Sequence, residues 1–124
     1  MPMKIRGLAR LGTRTREFED TTRFFRDTLG LRVEHEESDF VIFRLLNGDT
    51  VEVFGPSERD HKHFRTGPVV GFLVDDVEVA RARLEAAGIS FIGPVHRSED
   101  GSTWSHFVGP DRNIYELTGE RPQS

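Results

Sequence analysis

Along residues 4–15 apolar and polar positions alternate loosely. Leu11, Thr13 and Thr15 fall on one face and Arg10, Gly12 and Arg14 on the other, which predicts a strand with a cationic second face. At Glu17 the period changes. Phe18, Thr22, Phe25 and Leu29 recur at helical spacing, Glu17, Glu19 and Asp20 fill the first turn, and Gly30 stands where a C-terminal cap belongs. A helix is expected there, with Phe18, Phe25 and Leu29 in the core. Residues 31–36 and 39–46 read as strands, and Asn47-Gly48 is a two-residue hairpin signal leading into a further strand over 50–54.

A charged stretch with Pro56 and the histidines His61 and His63 follows and reads as a linker over about 56–67, its histidines exposed. Then the order repeats. Residues 68–74 are a nearly continuous apolar run, as in a buried strand; Asp75 with Glu78 suggests a capping box; Val77, Ala80, Leu84 and Ala87 share a helical face that Gly88 ends. Residues 89–95, broken by Gly93-Pro94, and residues 102–108 and 113–118 read as three strands. The elements therefore run β-α-β-β-β twice, with Leu29-Gly30-Leu31 answered by Ala87-Gly88-Ile89 and Glu52 before Gly55 answered by Glu116 before Gly119.

The expectation is a single α+β domain over 1–124. Module one covers about 4–55 and module two about 68–119, two βαβββ modules pairing into an open cleft or half-barrel. Each module would cover one sheet face with its helix and turn the other toward the cleft. Strand alternation puts Ile114, Glu116 and Thr118 on one face and Tyr115 and Leu117 on the other, so Glu116 points inward, and Glu52 occupies the matching place. Trp104, His106 and Val108 share a face of the penultimate strand, which makes His106 a candidate acid or base beside carboxylates and Trp104 a stacking surface. The alternative is that His106 is a hydrogen-bonded structural residue and Trp104 a core residue. His35 and His96 have no evident partner in sequence.

Composition narrows the function classes. Ten Phe in 124 residues supply a core, and 31% charged residues keep the exterior wet. A net charge of −4 disfavours nucleic acid and anionic membrane as partners and leaves a small organic molecule. With no cysteine there is neither a disulfide nor thiolate chemistry, and the first residues lack the apolar core of a signal peptide, so a cytoplasmic location is expected.

Several stretches together resemble the vicinal oxygen chelate superfamily of glyoxalases, bleomycin-resistance proteins and extradiol dioxygenases. They are Phe24-Phe25-Arg26-Asp27-Thr28-Leu29-Gly30-Leu31, Val51-Glu52-Val53-Phe54-Gly55, Gly71-Phe72-Leu73-Val74-Asp75 and Gly109-Pro110-Asp111-Arg112-Asn113-Ile114-Tyr115-Glu116-Leu117. The resemblance implies paired βαβββ modules, commonly a homodimer, and in the metal enzymes a divalent cation held at four positions. Those positions fall near Arg10, on Glu52, near Val69 and on Glu116, so two carry glutamate while arginine and valine replace the usual His or Gln. A metal of the usual kind is therefore not expected, and Arg10 is expected to stand in for the cation between the glutamates. The family's usual Asp-Pro-Asp-Gly-Asn turn has lost its first Asp and its Gly here. The expected function is binding of a small molecule, as in bleomycin-resistance proteins, with Arg10, Glu52, Trp104, His106 and Glu116 as the lining. The alternative is a lyase, isomerase or dioxygenase of the glyoxalase type, either metal-dependent or using Glu116 and His106 as an acid/base pair.

Overall fold

A computed structural model describes residues 3–65 and 67–119. Eight strands and two α-helices follow in the order β1 (Gly7–Arg14), α1 (Phe18–Arg23), β2 (Arg32–Glu37), β3 (Phe40–Arg44), β4 (Thr50–Phe54), β5 (Val69–Val74), α2 (Val77–Ala86), β6 (Ser90–Arg97), β7 (Thr103–Val108) and β8 (Ile114–Gly119). The fold class is α+β. The chain divides into two compact units, one of Arg10–Val69 and one containing 3–9 and 70–119.

In the Arg10–Val69 unit the strands lie in the order β2-β3-β4-β1, with β1 parallel to β4 and the other neighbours antiparallel. Alternation sends Val41, Phe43, Val51 and Val53 to one face, where they are buried and meet Leu11, Phe18 and Phe25. The helix covering this face is shorter than its periodicity predicts. After Arg23 the backbone widens into a π-helical turn, Phe24–Thr28, closed by the bond from Leu29 N to Phe24 O. A wider turn advances less per residue, so the helical stripe drifts. Phe25 still reaches Phe43, ring to ring at 5.8 Å, but Leu29 is 52% exposed rather than in the core as expected.

The unit containing 70–119 repeats the plan in the order β5-β8-β7-β6, with β5 parallel to β8. Its core face holds Val74, Val77, Ala80 and Leu117, flanked by Phe72, Leu84, Phe91 and Phe107. The cap of α2 falls one residue later than expected. Asp76 accepts from Val79 N at 3.1 Å, while Asp75 is held outside the helix by an ion pair with Arg6. Helix-ending Gly30 and Gly88 take φ of 73° and 91°, the left-handed region that stops a helix at little cost only for glycine.

The strand β6 runs through Gly93-Pro94 instead of ending there. Ile92 pairs with His106, yet the next registered pair is His96 with Trp104, so β6 carries two more residues than β7 over this interval. Proline cannot donate to a ladder, and Gly93 takes a φ of 70°, so the excess is extruded as a bulge.

The two units agree in register at the glutamates. Glu52 lies between Gly12 on its parallel neighbour and Ile42 on its antiparallel one; Glu116 lies between Gly71 and His106. Ile42 and His106 are thus equivalent positions. Two residues before Gly12 stands Arg10, and two before Gly71 stands Val69.

Candidate functional site

In the unit containing 70–119 the polar residues gather on the sheet face opposite α2, since Leu117 and Ser105 point toward the helix and their neighbours must point away. Glu116 is 2% exposed and His106 is fully buried, as facing residues on β8 and β7. His106 Nε2 is 2.8 Å from Glu116 Oε2, and Thr118 Oγ1 donates to Glu116 Oε1 at 2.7 Å. A buried glutamate without such partners is rare and costly. An ionised carboxylate only accepts, so Nε2 carries the hydrogen and, in the neutral ring, the lone pair is on Nδ1. A carboxylate behind an imidazole is the arrangement that fixes the tautomer in acid/base and metal sites alike.

Two further rings join this face. Trp104 stacks on His96 with centroids 5.5 Å apart and planes 17° from parallel, and His96 lies 6.0 Å from His106. Sequence gave His96 no partner; the bulge in β6 is what seats it opposite Trp104, and the Gly93-Pro94 pair was its one visible signal.

In the other unit Glu52 is 5% exposed and faces away from the Phe18–Phe25 core. Arg10 Nη1 lies 2.8 Å from Oε1 and 2.6 Å from Oε2 of Glu52, so a permanent cation neutralises this carboxylate. The second arginine of β1 does something sequence did not reveal. Arg14 donates to the carbonyl oxygens of Lys62 and Pro56 at 2.7 and 2.8 Å, tying down the loop after β4. The loop is packed, and His61 is 5% exposed rather than solvated as expected. Its ring lies on Phe54 at 3.9 Å and its edge meets Phe64 at 5.0 Å. Glu58 accepts from His61 N at 2.9 Å and faces His61 Nδ1 at 3.1 Å. Burial pushes the Glu58 carboxyl up, but the His61 ring and the backbone N–H groups of His61 and Asp60 together outweigh it and hold the group below its ordinary value.

These positions bear on the metal that the resemblance implies. Arg10 and Val69 offer no lone pair to a cation, and both oxygens of Glu52 are engaged by Arg10. The usual four-position ligand set does not fit these residues. Glu116 and His106 are an oxygen and an imidazole, donor types that divalent cations accept, but here they are hydrogen-bonded to each other, with Thr118 on the second carboxylate oxygen.

The turn before β8 departs from the usual sequence but keeps a turn's bonding. Asp111 accepts from Asn113 N at 3.0 Å and from Tyr115 O–H at 2.5 Å. Arg112 takes a φ of 70°, the left-handed conformation normally left to glycine.

No helix among the described residues is long and apolar enough to cross a membrane. No curated protein matches the chain. Its fold is shared by methylmalonyl-CoA epimerase from Mycobacterium tuberculosis at a TM-score of 0.77 and 17% identity, over 98% of this chain and 93% of that one. A Streptomyces coelicolor methylmalonyl-CoA epimerase in complex with 2-nitronate-propionyl-CoA aligns at a TM-score of 0.74 and 17% identity, over 96% of this chain and 100% of that one. The Mn(II)-bound glyoxalase from Novosphingobium aromaticivorans aligns at 0.72 and 19% identity, over 97% of this chain and 40% of that one. With the family model matched across residues 7–117, the chain belongs to the Glyoxalase/Bleomycin resistance protein/Dioxygenase superfamily.

Proposed function

We propose that this protein binds a small organic molecule, using the Glu116–His106–Thr118 network together with Trp104, Arg10 and Glu52 as recognition groups, and without the family's usual catalytic metal. The observation that carries this is the buried His106–Glu116 pair at 2.8 Å on a sheet face not occupied by the helix. A polar pair of this kind is held away from water and pre-oriented, so a ligand that meets it gains a directed hydrogen bond at little ordering cost. Arg10 on Glu52 supports the metal-free form, because it already supplies the positive charge that one family carboxylate needs. A homodimer in the cytoplasm is the expected setting.

The same pair favours one second reading, a metal-free acid/base isomerase. Glu116 holds the His106 Nε2–H, which leaves Nδ1 to take and return a proton beside a substrate carbonyl. The neighbours named as methylmalonyl-CoA epimerases are compatible with that class of reaction, at an identity that speaks only for fold.

Metal content of the purified untagged protein, followed by titration with nickel, zinc, manganese and ferrous iron, separates the readings. Absence of tight metal in the wild type, with thermal-shift hits that Glu116→Gln and His106→Gln weaken, is the expected result. One equivalent of tightly held metal lost in Glu116→Gln overturns the metal-free reading. Deuterium uptake from heavy water into the α position of an acyl thioester, abolished by His106→Gln, would convert the binding protein into an isomerase.

A further inference from the structure

We propose that Arg81 and the β6 bulge form a positioning device that holds His96 flat against Trp104, and that the resulting two-ring platform receives a planar, conjugated part of the ligand. This rests on the small-molecule site above and names the chemical class that it takes.

A regular continuation of the β6–β7 ladder from Ile92–His106 would place Pro94 opposite Trp104. The two extra residues replace that proline with His96 while keeping its parity, so the imidazole emerges on the same face as His106 and Glu116. The bulge is gripped from the other side of the sheet. Arg81, on α2, donates through Nη1 to the Gly93 carbonyl at 2.7 Å and to Ser105 Oγ at 3.1 Å, and its guanidinium lies 4.8 Å over the Phe91 ring. Ser105 is fully buried and sits on β7 between Trp104 and His106. One side chain therefore ties the bulge in β6 to the Ser105 side chain of β7, beside Trp104. Both bonds leave one nitrogen while the flat guanidinium covers the Phe91 ring, a stacked contact that a lysine ammonium does not reproduce.

An offset-stacked imidazole and indole offer π-faces, with their ring nitrogens at the edges. Such surfaces recognise flat π-systems by stacking, whereas a saturated ring of similar size loses the face-to-face contact. The neighbouring pair His106–Glu116 then meets the polar atoms of the same molecule.

The test uses β-naphthol and its saturated analogue decalol, followed by the Trp104 indole N–H resonance, which is unique because the chain has one tryptophan. β-Naphthol is expected to shift the Trp104 and His96 ring signals saturably and to bind about tenfold more tightly than decalol. His96→Ala is expected to weaken β-naphthol about three- to tenfold and leave decalol unchanged. Arg81→Ala is expected to weaken it similarly and to move the His96 signals in the absence of any probe, with Arg81→Lys between. Thermal unfolding checks that each variant folds, and His96→Gln supplies a milder second change at the platform. Equal affinity for the two probes, no shift at Trp104, or wild-type β-naphthol binding in both His96→Ala and Arg81→Ala overturns the platform. If Glu116→Gln and His106→Gln still weaken thermal-shift hits in that case, the small-molecule site stands without it; if they too are silent, the site itself is wrong.

Discussion

Replacing Glu116 by Met and His106 by Leu, singly and together, measures what the buried pair contributes. Each single change keeps roughly the side-chain volume but strands a partner at a position no more than 2% exposed. Glu116→Met leaves the His106 Nε2–H and the Thr118 hydroxyl without their shared acceptor. Leaving two buried donors without their shared carboxylate acceptor costs about 3–5 kcal/mol. His106→Leu takes the His106 bond from Oε2 of a buried carboxylate while Thr118 still serves Oε1, for a cost of about 3 kcal/mol. The double variant removes both partners. What remains is the Thr118 hydroxyl, at about 1 kcal/mol, and imperfect packing of a similar size. The double variant is therefore expected to be no less stable than either single variant, so that its loss falls short of the two single losses summed by about 3 kcal/mol or more. Urea unfolding followed by Trp104 emission reads this directly, with the slope against urea checked for a constant unfolded state. Effects that add to within about 0.5 kcal/mol would refute the pairing.

Arg112→Gly relieves a left-handed residue at φ 70° and is expected to raise stability by about 1 kcal/mol, some 3–6 °C for a domain this size by calorimetry. The Tyr115 O–H foremost, then the Asn113 N–H, hold the Asp111 carboxyl below its ordinary 3.8 against a smaller opposing effect of burial. The folded pKa being the lower one, this stabilisation is complete above the unfolded value and lost as pH falls through the folded value; a melting-temperature profile at acid pH should flatten in Asp111→Asn. Arg14→Ala removes two bonds to loop carbonyls and should cost about 1–3 kcal/mol, with amide exchange accelerating at 56–64 more than in β7 and β8.

The element order was legible because the period of the apolar residues switches cleanly between two and 3.6, and because glycines close both helices. The matched glutamates were legible for the same reason, since alternation fixes which face a strand residue takes. The π-helical turn was not, because widening a helix by one residue per turn leaves composition untouched while moving Leu29 out of the core. The role of Arg14 was invisible as well: its partners are backbone carbonyls, which carry no residue identity. His61 read as exposed because it lies in a loop, and only the three-dimensional path sets it on Phe54. The partner of His96 depended on a count of extruded residues that Gly93-Pro94 hints at but does not specify.

The two units also differ in how they interrupt a ladder. In β2 the register slips by one residue, between Val33 and His35, whereas in β6 it slips by two. An odd slip inverts the inside and outside of everything beyond it, and β2 accordingly ends in His-Glu-Glu, a stretch that belongs to water whichever way it faces. An even slip is invisible to the rest of the strand. Insertions or deletions in pairs at Gly93–Val95 would exchange the residue opposite Trp104 and leave the core face of β6 untouched. That gives a lineage a way to try new side chains beside the His106–Glu116 pair one step at a time, without disturbing the packing that keeps the sheet folded.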